Sequence, residues 1–305
     1  MNKKQYLITI IAIVIVDVAA LVLTILGYID WLWLVVVTSI GYLFIKYKVH
    51  GPLQVFSTKF NMMVDYDLEV HDAVKLCEER VAEAPTASIK NLYMVYLGMA
   101  NYYAGQYEES IKTFNQIELK KLNNIYHVLI LSFTAYAAYE SDDMETFNLS
   151  IERIKNLQSS INRKYLGFVG SYIQVLEAMR DLEDNPEHYK EVIESQFSKN
   201  DGYISTKLTY NYRMAQYYRV TGNELEMDIC LAKVIANGKE HHTAIQAQKM
   251  FKNNVKIEDY IFVEGEEAED VEVVEDQQLI GTEETDVENI EEVEVVEEKE
   301  EDLFK

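Results

Sequence analysis

Residues 6–26 read YLITIIAIVIVDVAALVLTIL and residues 28–45 read YIDWLWLVVVTSIGYLFI. At about 1.5 Å per residue, some 20 apolar residues in a helix cross the roughly 30 Å hydrocarbon core of a bilayer. Each run meets that length, and only Gly27 separates them. The expectation is a transmembrane helical hairpin within residues 1–50, with spans at about 6–26 and 28–45, and the lipid bilayer as its first partner. Lys3 and Lys4 precede the first span, Lys46 and Lys48 follow the second, and the short connection holds Asp30 and no base. The positive-inside rule then places both termini in the cytoplasm, with Tyr28, Trp31 and Trp33 forming an outer aromatic belt. A cleaved signal peptide ending near Ala19-Ala20 fits less well, because the apolar run continues past that point and a second follows at once.

Asp17 stands near the middle of the first span. A carboxylate there costs about 2.5–3.5 kcal/mol on insertion scales, which makes it a functional candidate. Thr38 and Ser39 lie at matching depth in the antiparallel second span and are expected to hydrogen-bond it. A helix of another protein is a second reading. Ion or proton transport is a third, and one carboxylate on two spans serves it poorly.

Beyond the hairpin the chain has few breakers: 12 Gly and 3 Pro in 305 residues. Such scarcity favours helix. Gly51-Pro52 is expected to end the second span's helix and open a helical domain over 51–256. The net charge of −23 is unevenly placed. Residues 1–256 carry 26 Lys+Arg and 29 Asp+Glu, whereas residues 257–305 carry 2 and 22. An acidic excess repels phosphates and argues against nucleic acid. Cys77 and Cys230 sit in apolar helical patterns and are expected to be reduced and buried.

Within NLYMVYLGMANYYAGQYEESIKTFNQI (91–117), Leu92, Val95, Tyr96, Met99, Tyr102 and Tyr103 recur at three- and four-residue spacing. Gly98, in mid-helix, implies close approach of a neighbouring helix. Gly105 ends that helix. Tyr107 opens a second, with Ile111 and Phe114 on one face and small Ser110 between them. Leu97, Gly98, Tyr102, Gly105, Tyr107, Ser110, Ile111 and Phe114 together resemble the tetratricopeptide repeat. Residues 66–85 are similar to a second helix of such a unit. Residues 124–157, 161–198 and 205–236 keep the helix–turn–helix outline, and 240–253 reads as a cap. Phe147 and Met227 stand where the repeat usually has a small residue.

The resemblance covers about 200 residues and implies a TPR-like α-solenoid, so that with the hairpin and a disordered acidic tail the chain is expected to be all-α. It also implies a concave groove lined by first helices, open to a protein or peptide partner. Carried onto this chain, the groove residues are Val95, Met99, Tyr102, Tyr103, Tyr136, Tyr139, Tyr212, Arg213, Gln216 and Arg219. Tyr and Arg are often energetic at interfaces.

Residues 257–305 have no periodic apolar face and are expected to be disordered. VEVVE recurs at 271–275 and 293–297. The tail reads as a solubilising bristle, a docking peptide for a basic partner, or a segment folding back on the Arg213/Arg219 end. No HExxH, phosphate loop, Rossmann fingerprint or CxxC occurs. The histidines His50, His71, His127, His188, His241 and His242 are scattered, so no metal, cofactor or catalytic residue is assigned. The expected function is a plasma-membrane adaptor facing the cytoplasm, with residue usage of a bacterial kind. A peptide-sensing regulator, or an assembly factor recognising partners through its hairpin, are the alternatives.

Overall fold

The computed structural model of the protein describes residues 3–197 and 202–262. Its regular structure is entirely helical, with twelve α-helices and no strand among the described residues. Helices α1 (Lys3–Ile25) and α2 (Trp31–Asn61) pack on one another. Both are long and apolar enough to cross a membrane. Leu7, Ile11, Ile15, Leu32, Val35 and Ile40 turn outward, an apolar surface of the kind that marks protein or membrane contact.

Helix α2 corrects the expected break at Gly51-Pro52. It runs through Pro52 to Asn61 and passes into a π-turn over Met62–Tyr66. Proline in a helix removes one hydrogen bond and crowds the previous turn. Packing offsets this: Phe56 and Phe60 are buried, with rings 4.8 to 5.2 Å from those of Tyr93 and Tyr96. The apolar hairpin and the helical domain therefore share one helix across residue 50.

The domain continues with α3 (Val70–Glu83), α4 (Ala87–Tyr103), α5 (Tyr107–Phe114), α6 (Asn124–Glu140) and α7 (Met144–Leu157). It ends with α8 (Leu166–Arg180), α9 (Pro186–Phe197), α10 (Ile204–Val220), α11 (Glu224–Asn237) and α12 (His242–Met250). Each of these helices packs on the next, and α4 and α8 both also pack on α6. Side-chain caps start several of them: Thr86 accepts from Ile89 N–H, Asn123 from Tyr126, Asp143 from Thr146 and Asn223 from Glu226.

The α4–α5 pair shows how the local sequence sets the packing. Ser110 Oγ donates to the Gly98 carbonyl at 2.7 Å. A Cβ at Gly98 would stand 2.3 Å from the Phe114 ring, so only glycine admits this approach. Gly105 turns the chain between the helices at φ +74°. Phe147 is fully buried.

The last helices return to the first. Ser205 Oγ of α10 donates to Asp65 Oδ1 of the π-turn at 2.7 Å. The rings of Tyr66 and Tyr203 lie 5.1 Å apart, and Lys239 Nζ donates to the Asp67 carbonyl at 2.6 Å. Residues 257–262, expected in the tail, dock on α11 instead. Asn237 donates to the Tyr260 carbonyl at 2.9 Å and accepts from Phe262 N–H at 2.7 Å. Both VEVVE copies and the rest of the acidic segment lie outside the described residues.

Candidate functional site

Of the expected groove residues, Tyr102, Tyr103 and Tyr136 lie together, and so do Tyr139, Tyr212, Arg213 and Gln216, but not on an open surface. Val95, Met99, Tyr102, Tyr212, Arg213 and Gln216 are buried, and Tyr103, Tyr136 and Tyr139 half-buried. Of the ten, only Arg219 is exposed. As a surface free for a partner, this set is corrected. Because α10 closes on the π-turn and α12 seats against α4, the inner face is filled by the chain itself.

The filling is polar as well as aromatic. Arg213 Nη1 lies 2.9 Å from Glu140 Oε1, with both side chains under 5 % exposed. Tyr212 donates to Glu140 Oε2 at 2.8 Å. Gln216 Oε1 accepts from Arg213 at 3.0 Å and from the Tyr189 hydroxyl at 3.2 Å. The guanidinium also lies over the Tyr139 and Tyr212 rings. Burial opposes charge on Arg213, but Glu140 and the surrounding tyrosines hold it firmly protonated.

Helix α12 supplies the rest. The His242 ring lies 4.4 Å from Tyr102 and 4.6 Å from His241, and the His241 ring 5.5 Å from Tyr103. Gln246 donates to the Tyr107 hydroxyl at 3.2 Å, which itself lies 3.2 Å from His242 Nδ1. His241 Nδ1 accepts from Thr243 N–H and starts the helix, while its Nε2 is enclosed with no hydrogen-bond partner. Burial pushes His241 down to about 3 and His242 well below its ordinary value, so both are neutral.

The sequence left Glu140 and Asp65 unassigned and set the His241-His242 pair aside. The only local signal was the unusual pair itself at the start of a last helix. Among the described residues, no three His, Cys, Asp or Glu side chains gather closely enough to hold a metal. Cys77 and Cys230 are free and buried, and burial raises both thiols, Cys230 to about 11.

An accessible cleft of about 500 Å³ lies at the foot of α2. Met62, Met63 and Leu76 give it apolar surface. Asp67, Glu69, Asp72 and Glu79 outnumber Lys59 and Lys75 around it. Lys75 already pairs with Asp72 at 2.7 Å.

In the hairpin, Thr38 and Ser39 face outward and neither bonds Asp17. Asp17 Oδ1 is enclosed with no hydrogen-bond partner. The expected contact inside the hairpin is therefore corrected. Asp17 shares the inward face of α1 with Ile13 and Ala20, whereas Thr38 and Ser39 lie off the facing stripe Leu34, Val37 and Gly41.

No protein-family profile, curated protein or solved structure matches this chain. Fold and site therefore stand on the residues alone.

Proposed function

We propose that this chain is a membrane-anchored adaptor with a cytoplasmic helical domain of degenerate TPR-like pairs that binds a protein partner. One observation carries the reading. Helix α2 continues from the apolar hairpin into the domain core, where Phe56 and Phe60 lock it against α4. An anchor joined this way holds the domain in one pose at the membrane surface, rather than on a flexible tether. Lys3, Lys4, Lys46 and Lys48 support the cytoplasmic side.

The cleft beside Leu76 is the partner surface on this reading, because the inner face is filled. Its acidic rim over apolar side chains suits a segment carrying Lys or Arg beside a hydrophobic residue. Such contacts steer association and set specificity. The acidic segment beyond residue 262 adds a second contact for a basic partner.

A photoreactive residue at Leu76 in the membrane-embedded chain tests this. It should capture a partner, and capture should fall with Glu69→Lys/Asp72→Lys. A probe at exposed Leu149, on α7, should capture none. Equal capture at both positions would remove the cleft from the account.

A second reading is favoured by the unpartnered Nε2 of His241. Here α12 is a displaceable plug, and a peptide taking its place reaches Tyr102 and Tyr103. The chain is then a peptide-sensing regulator, and a probe at Tyr103 captures the partner.

A further inference from the structure

The hairpin encloses one carboxylate oxygen, Asp17 Oδ1, that it does not satisfy. On α1, Ile13, Asp17, Ala20 and Thr24 form the face turned to α2. Contact there is close: a Cβ on Gly41 would stand 2.8 Å from Ile13 Cγ2. Thr24, the nearest polar residue on that face, spends its hydroxyl on the Ala20 carbonyl of its own helix at 2.9 Å. Asp17 Oδ1 is enclosed among apolar groups and meets no donor.

We propose that Asp17 is the recognition point for a transmembrane helix of another protein that carries one Lys or Arg near its middle. Charge complementarity selects this occupant. The hairpin's own bases flank the apolar runs, and Lys4 is roughly 20 Å from Asp17 along the axis by helical rise. Lipid headgroup cations stay at the interface, about 15 Å from the bilayer centre. A second copy of this chain brings another Asp17 and no mid-span cation. A basic side chain entering the seam between α1 and α2 supplies the missing donor where water cannot. The inference rests on the hairpin crossing the bilayer, and it adds a contact independent of the cleft.

The test uses the full chain in phosphatidylcholine vesicles. The probe is a synthetic leucine–alanine helix with one central lysine, and the control helix has leucine there. Energy transfer from labelled chain to labelled helix reads association. The lysine helix should associate about tenfold more tightly than the control, as one interhelical polar contact is worth. Asp17→Leu should abolish the difference, and Asp17→Asn should reduce it. Equal association of the two helices, or an unchanged preference in Asp17→Leu, overturns the proposal. So does Asp17-dependent association between copies of this chain alone. Labelling of Tyr28→Cys by a membrane-impermeant maleimide separates the two failures. If Tyr28→Cys reacts from the side opposite the helical domain and the lysine helix still does not bind, the anchor stands and the Asp17 site falls. If it reacts on the same side as the domain, the spanning hairpin falls and takes the Asp17 site with it.

Discussion

Removing Glu140 leaves Arg213 enclosed, charged and without its carboxylate, and it strips Tyr212 of its acceptor. Breaking a buried pair from one side typically costs about 3–5 kcal/mol, whereas replacing both partners by apolar groups is often nearly neutral. Glu140→Ala should therefore lower unfolding stability by about that amount, and Glu140→Leu/Arg213→Met by much less. Denaturant titration of the full chain in detergent reads both; equal losses would contradict the pairing. At Gly98 an added methyl meets the Phe114 ring, and overpacking of this kind costs about 1–3 kcal/mol. Gly98→Ala should show that loss, and Phe114→Leu in the same chain should recover part of it. The two sites differ in legibility. Gly98, Ser110 and Phe114 lie within one helix pair, so spacing exposes their contact. Glu140 follows an aromatic run and reads as an ordinary helix-end charge, because its partner lies on a helix far along the chain.

At the scale of elements, α12 is held by two neutral histidines. His241 sits at about 3 in the fold against its ordinary 6.5, and burial lowers His242 too. Between those values the unfolded chain binds more protons than the native one. Stability is then complete above pH 6.5 and falls as pH drops towards 3. His241→Asn/His242→Gln should flatten that decline in melting temperature; an unchanged slope would remove the histidines as its cause. The 3₁₀ turn Ile257–Tyr260 makes a separate prediction. A chain ending at Lys256 loses both Asn237 hydrogen bonds and should be less stable by about 1–3 kcal/mol. A chain ending at Phe262 should match the full chain in the same melt, and a matching Lys256 truncation would count against the docking. Composition concealed this turn, since its Glu and Asp look like the start of the acidic run. Pro52 misled for a different reason: local propensity marks a break, and only the burial of Phe56 and Phe60 shows why the helix persists.

Over the whole molecule, the helical character, the two apolar helices and most turns were legible, because they follow from periodicity, length and capping residues. Closure was not. Ser205 reaches Asp65 across 140 residues, and no periodic pattern encodes a contact of that range. That closure turns the expected open face into an interior. Hydrogen exchange on the full chain in lipid nanodiscs tests it directly, comparing amides of α12 with those of α4 and α6. His242–Met250 should be protected together with the Tyr102 and Tyr103 segment, as one cooperative unit. Fast exchange in α12 while α4 and α6 stay protected would contradict it, and would mean that the inner face stands open to a partner.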